Sequence, residues 1–335
     1  MKIPIAAALL GAGLVAQDAG HLSGVRQITF GGQNAEAYWA PDGRRLIFQS
    51  TRDGAQCDQI YIMGADGSNP HRVSTGRGVT TCSYFLPDDK HILYASTHLA
   101  GAECPPRPDH SKGYVWAVYP GFDIFEATDD GTIIRRLTDT PGYDAEATVN
   151  WKEKKIVYTS KASGDLDLWT MKLDGAGKKQ LTSTIGYDGG GVFSRDGRLL
   201  VWRAYHPDAG PPMERYQELL SRDLTAPMKM ELFVANADGS AAKQITSFGC
   251  ASFAPQFTPD GKRIIFSSNK NHCDSRDFEL FLIDVDGSHL EQATSFGGFT
   301  SFPEFSPDGH RLVFTSTQNA KSAYEFNIFV ADWKD

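Results

Sequence analysis

Six copies of one β-hairpin constrain this 335-residue chain more than anything else in it. Four are close to one another: "WAPDGRRLIF" (39–48), "FSRDGRLLVW" (193–202), "FTPDGKRIIF" (257–266) and "FSPDGHRLVF" (305–314). Two are degraded: "FLPDDKHILY" (85–94) and "VNWKEKKIVY" (149–158), where the turn has become Trp-Lys-Glu. The chemistry is that of a tight turn. Pro presets φ, Asp bonds its own backbone, and Gly takes the left-handed conformation. The flanks are apolar, β-branched and aromatic, which is the strand signal. An internal repeat of this kind decides the architecture before local propensity does.

Each hairpin is followed by two more strands. Third strands with an Asp-Gly turn occur as "QIYIMGADGS" (59–68), "DIFEATDDGT" (123–132), "DLWTMKLDGA" (167–176), "ELFVANADGS" (231–240) and "ELFLIDVDGS" (279–288). Fourth strands follow, such as "KKQLTST" and "AKQITSF". Four strands per repeat make a propeller blade. The sixth repeat has its third strand, "EFNIFVADW" (325–333), and no fourth, whereas "GVRQITFGG" (24–32) is a fourth strand without a blade. The expectation is an all-β fold, a six-bladed β-propeller closed by the N-terminal strand, with Ile28 and Phe30 beside residues 325–331. The alternative is an open solenoid with exposed sheet edges. Blades are expected at about 33–75, 76–139, 140–183, 184–246, 247–294, and 295–335 together with 24–31.

Composition agrees: 41% hydrophobic residues supply a large core, and 33 Gly with 17 Pro make the chain turn-rich. The formal charge of −8 argues against nucleic acid or an anionic membrane as the main partner. The first residues, "MKIPIAAALLGAGLVAQ", have Lys2, an apolar run and a cleavage point after Ala16 or Ala19. They read as a signal peptide over 1–19, which makes 20–335 the mature propeller and its location periplasmic or secreted. The alternative, an ordinary first strand, lacks period-2 alternation. No later run reaches the roughly 20 apolar residues of a membrane anchor. Five cysteines leave at least one unpaired. Cys250 and Cys273 are expected to bridge, with one further bridge among Cys57, Cys82 and Cys104.

The hairpin, the "L-F/Y-x-x-x-x-D-G-S" third strand and the "x-Q-I/L-T" fourth strand together resemble the TolB-type six-bladed β-propeller, over about residues 21–335. The resemblance implies a periplasmic or secreted binding module. In TolB the propeller docks an envelope lipoprotein. TolB also carries an α/β domain before its propeller, and none fits here.

The turn-Asp positions 42, 88, 152 (occupied by Lys152), 196, 260 and 308 are spaced so that blades 2 and 4 each carry about twenty extra residues. The blade 2 insertion (97–122) is rich in Pro, Gly and aromatics. The blade 4 insertion (204–227) places Met213, Tyr216, Leu219, Leu220 and Leu224 on one stripe behind Pro211 and Pro212, which predicts a short helix packed on the ring. Both insertions lie on one face, with Arg52, His98, His110, Trp116, Arg203, His206, Lys270, His272 and Lys321 as candidate ligand-binding residues there. Eight residues before each turn position stand Asn34, Thr80, Asp144, Asp188, Ser252 and Thr300, all polar, with Glu36 and Glu146 two residues further in. Two readings stay open. They form an acidic ring at the channel mouth, with Asp144 and Asp188 as oxygen ligands suited to Ca²⁺, or they cap turns. Arg203 or Lys270 reaching in would neutralise such a ring without metal.

No G-x-S-x-G, H-E-x-x-H or P-loop is present. Two functions remain: a non-catalytic binding propeller for an envelope protein, peptide or glycan, expected to be a monomer, or a propeller hydrolase or lyase using Glu36 and Glu146 on polysaccharide.

Overall fold

The computed structural model describes residues 20–111 and 113–334, so the expected signal peptide lies outside the described residues. Six four-stranded antiparallel sheets stand around one axis. Their innermost strands are Asn34–Trp39, Thr80–Phe85, Asp144–Asn150, Tyr187–Phe193, Ser252–Phe257 and Thr300–Phe305. The second strands, such as Arg45–Ser50 and Arg263–Ser268, are covered on both faces by neighbouring blades. That is why they read as unbroken apolar runs; Leu46, Ile47 and Phe48 are all fully buried.

Two short-range devices explain the repeated words. Each turn carboxylate or amide accepts the backbone N–H two residues on: Asp42 from Arg44, Asn150 from Lys152, Asp196 from Arg198, Asp260 from Lys262, Asp308 from His310. In blade 3 the side chain of Asn150 replaces the missing Asp, so the turn survives its altered sequence. The Thr of the fourth strand has the second task. Ser74, Thr138, Thr182, Thr246, Thr294 and Thr29 each accept the backbone N–H of Ile60, Ile124, Leu168, Leu232, Leu280 and Ile328, at 2.8–3.0 Å. A donor that would be orphaned where the short outer strand ends is thereby satisfied.

Thr29 belongs to this set, and it closes the ring. Leu22–Gln27 pairs antiparallel with Asn327–Trp333, Leu22 opposite Trp333 and Gln27 opposite Phe329. His21 stacks on Trp333 at 4.8 Å. The blade 6 to blade 1 junction is packed like the others, with Val313, Ile328 and Val330 against Trp39, Phe48 and Tyr61. The pairing stops short of the expected Phe30. Ile28 still donates to Ile328, but Phe30 is 63% exposed, because the chain turns away at Gly31 and Gly32, both at positive φ.

The blade 4 insertion forms the helix Pro211–Leu220, with Tyr216, Leu219 and Leu220 buried. Leu224 does not belong to it. Asp223 takes φ 56, and Leu224–Thr225 instead pairs with Trp116–Ala117 of the blade 2 insertion. The two insertions therefore join into one roof, and Lys161 fastens its helix end through the Leu220 carbonyl and Asp223. Two disulfides, Cys57–Cys104 and Cys250–Cys273, lie on this face, and Cys82 is free. Among the described residues no helix is long and apolar enough to cross a membrane.

Candidate functional site

Every innermost strand breaks its ladder at the same place. The register shifts between Ala35 and Tyr38, Thr81 and Tyr84, Ala145 and Thr148, Gly189 and Val192, Phe253 and Gln256, and Ser301 and Glu304. At each bulge one residue takes a left-handed conformation: Glu36, Cys82, Glu146, Gly190, Ala254 and Phe302, with φ between 50° and 61°. Such a conformation costs a non-glycine residue about 1 kcal/mol, and a bulge re-aims the side chain it carries. All six of these residues line a central cavity of about 1270 Å³.

The cavity has two unlike sides. Blades 5 and 6 contribute Phe253, Phe278, Phe299 and Phe302, packed mostly tilted or edge-on in a wall with ring centroids 5.0–6.3 Å apart. Blades 1 to 4 contribute Glu36, Tyr38, Cys82, Tyr143, Glu146, Tyr187 and Arg203. Trp116 of the roof links the sides, edge-on to Phe253 at 6.3 Å and 5.4 Å from the Arg203 guanidinium. Around the mouth stand Asp58, Arg107, Asp274, Arg276 and Asp277.

Glu146 is saturated. One carboxylate oxygen takes a hydrogen bond from Arg203; the other accepts from Thr159 (2.7 Å), Tyr187 (2.9 Å) and the Gly190 N–H (3.1 Å). Burial opposes the Arg203 charge, but Glu146 with Tyr187 and Tyr143 together more than offset that and hold its pKa above the usual value. The glycine run at 189–191 makes room for this cluster. A Cβ at Gly189 would lie 2.3 Å from the Tyr187 hydroxyl, and one at Gly190 would run into the Arg203 guanidinium.

Glu36 is the contrasting carboxyl. Burial raises its pKa to about 7, and Glu146 raises it further than Arg203 lowers it. Asp58 is likewise raised by burial to about 6, against the opposing pull of Arg107. Beneath the cavity Glu304 is buried and raised to about 8, although it accepts the Trp39 N–H at 2.5 Å and the Tyr84 hydroxyl at 3.1 Å. Near Glu304 lies Arg195, which stands where four of the other five repeats have Pro. It donates to the Ser306 and Pro307 carbonyls, tying blade 4 to the non-adjacent blade 6.

Of the residues singled out in the sequence, Glu36, His110, Glu146, Trp116 and Arg203 line this cavity. The others do not. Arg52, His98, His206 and Lys270 occupy one equivalent position, ten residues after the turn, and each lies on its own blade's third-strand ring: Arg52 on Tyr61 (5.5 Å), His98 on Phe125 (4.3 Å), His206 on Phe233 (5.1 Å) and Lys270 on Phe281 (5.1 Å). They are spread around the ring rather than gathered. His272 is exposed in the blade 5 loop.

The acidic ring at the mouth is also corrected. Asn34, Thr80, Asp144, Asp188, Ser252 and Thr300 are each 0–1% exposed, and their side chains turn into the blades. Four bond the serine opposite on the second strand: Asn34–Ser50, Thr80–Ser96, Ser252–Ser268 and Thr300–Ser316, at 2.9–3.1 Å. Asp144 accepts from Thr140 at 2.5 Å; Asp188 accepts from Trp202 at 2.6 Å and meets His206 at 3.1 Å. Burial raises the Asp144 pKa. Burial opposes a charge on His206, but Asp188 outweighs it and raises the His206 pKa. The two aspartates do not share an opening, and among the described residues no group of three or more His, Cys, Asp or Glu is arranged to hold a metal ion. The donor set therefore does not fit the Ca²⁺ site expected at Asp144 and Asp188.

Sequence reasoning missed Cys82, Phe302, Asp58 and Arg195. The first two stand six residues before a turn position, as Glu36 and Glu146 do, and that count would have found them. Arg195 was visible as the one Arg in a Pro place, whereas nothing in the repeat marks Asp58.

Comparison with known proteins bears on the whole ring. Residues 225–331 match the TolB beta propeller domain. A structure of a protein assigned as TolB from Agrobacterium tumefaciens superposes with a TM-score of 0.61 at 18% identity, covering 93% of this chain and 97% of that one. The chain is a TolB-like six-bladed propeller. The TolB homolog of Chlorobium chlorochromatii is 25% identical over 162 residues, 48% of this chain and 31% of that protein. This TolB-like chain thus matches about a third of the length of that curated relative. An oligogalacturonate lyase solved with manganese shares the fold at 15% identity and a TM-score of 0.52, covering 97% of this chain and 96% of the lyase.

Proposed function

We propose that this protein is an exported, non-catalytic binding propeller of the bacterial envelope, which takes a ligand or a segment of a partner into the central cavity from the roofed face. The observation that carries this is the cavity itself: about 1270 Å³, lined by inner strands of all six blades and by residues of the two joined insertions. Mostly apolar walls with a few convergent polar groups are what ligand sites have in common. Export is supported by the N-terminal run and by two disulfides, which persist in oxidising compartments. The hydrolase or lyase reading needs Glu146 as a free second carboxylate, and four donors already occupy it. The test is capture from an envelope extract by immobilised wild type and by Ala35→Trp, which fills the cavity from the blade 1 strand. We expect an envelope component, protein or glycan, that is retained by wild type and lost with Ala35→Trp while the circular dichroism is unchanged. Equal retention by both proteins, or none by either, would rule the cavity out as the binding site.

A further inference from the structure

The charges of the cavity do not balance. Five carboxylates face three guanidiniums along its wall and mouth. Arg203 is held by Glu146, and Arg107 acts on Asp58. Arg276 lies over the Tyr114 ring at 6.0 Å. Glu36 is left without a cation of its own, on a bulge that aims it into the cavity. The groups that face it are Glu146 from blade 3, Arg203 from blade 4, Asp58 from its own blade, Cys82 from blade 2 and the Tyr38 phenol next along its strand. Across from it runs the phenylalanine wall, which offers apolar area and no hydrogen-bonding group.

We propose that the cavity selects an amine, with a primary ammonium seated at Glu36 and an aromatic or aliphatic body laid on Phe253, Phe278, Phe299 and Phe302. The inference rests on the binding function above and names the ligand class. An ammonium supplies the positive charge that Glu36 lacks. A carboxylate ligand adds to the repulsion between Glu36 and Glu146, and a neutral head leaves Glu36 protonated and gains nothing from it. Because Glu36 holds its proton up to about pH 7 in the empty cavity, binding near neutrality releases that proton to solvent as the ammonium–carboxylate pair forms. Affinity for an amine therefore rises with pH while the amine itself stays charged.

Titration calorimetry with three ligands of one body tests this: 4-phenylbutylamine, 4-phenylbutan-1-ol and 4-phenylbutyrate, at pH 6 and pH 8. The amine is expected to bind tightest. Its affinity should rise about tenfold between the two pH values, as the ionised fraction of Glu36 does. Glu36→Gln should bring the amine down to the alcohol and abolish the pH dependence, leaving the alcohol unchanged, which also shows that the variant is folded. Phe302→Ala should weaken amine and alcohol alike. Alcohol or butyrate binding as tightly as the amine overturns the proposal, as does an amine preference that survives Glu36→Gln. If no amine binds at millimolar concentration while Ala35→Trp still abolishes envelope capture, the amine inference falls and the binding function stands.

Discussion

Two sets of positions stand two residues apart on the same six strands. Asn34, Thr80, Asp144, Asp188, Ser252 and Thr300 are buried inside their blades, and all but Asp144 bond a second-strand side chain. Glu36, Cys82, Glu146, Gly190, Ala254 and Phe302 share one strained backbone conformation and face the cavity. The first set is alike in chemistry from blade to blade, small and polar throughout. The second is alike only in its backbone; its side chains run from carboxylate to thiol to phenyl. In a repeat protein, sameness across repeats marks what the fold requires, and difference at one repeated place marks where a site has been written. Arg52, His98, His206 and Lys270 obey the same rule: a cation or imidazole recurring over a recurring ring belongs to the scaffold.

The comparison breaks most completely if the ring is opened. Deleting residues 22–29 removes the closing strand and the Thr29 bond, and is expected to abolish the cooperative unfolding transition in calorimetry, taking most of the roughly 5–15 kcal/mol that holds a domain. A transition that survives near its original temperature would show that closure is dispensable. Within the scaffold set, Asp188→Ala strands the Trp202 N–H and removes the partner of His206; a loss of roughly 2–4 kcal/mol in urea titration is expected. A change below 0.5 kcal/mol, on the order of an ordinary surface substitution, would place Asp188 with the wall instead.

Glu304 sharpens the contrast from beneath the cavity. Its folded pKa of about 8 lies above the ordinary 4.5, so its protonated form stabilises the fold at low pH. That contribution is complete below about 4.5 and is lost as pH rises through 8. Glu304→Gln should thus be more stable than wild type at pH 9 by roughly 1–3 kcal/mol, and equal to it at pH 4. Parallel pH profiles for the two proteins would refute the assignment. The smallest effect belongs to the wall. Ala254→Gly relieves a left-handed alanine and should stabilise by roughly 0.5–1 kcal/mol, opposite in sign to the scaffold changes.

Much of the ring was legible because its signals are local. Asp308 with Gly309, and Thr29 in "QIT", each make a contact whose partner is fixed by the repeat. Glu36 and Glu146 were legible by counting two residues in from the recurring polar positions, and Trp116 and Arg203 as residues of the face that carries both insertions. Asp144 and Asp188 were misplaced for a definite physical reason: counting by twos assumes an unbroken pleat, and a bulge between positions 35 and 38 and its five equivalents turns adjacent even positions to different sides. The phenylalanine wall was not legible, since Phe253, Phe278, Phe299 and Phe302 look like ordinary strand residues until the ring brings blades 5 and 6 together. Pairing of Trp116–Ala117 with Leu224–Thr225 had no signal either, because two-residue strands carry no pattern.

The strand that completes blade 6 is made early and used late. Leu22 meets Trp333, so during synthesis it waits without a partner while five blades are translated, and the sheet it will join does not yet exist. Contacts this distant along a chain are slow to form and leave edges open meanwhile. The seam therefore acts as a completeness check. A chain that stops short of residue 327 presents two unpaired edges to proteases and chaperones, while the finished one hides both in a single final step.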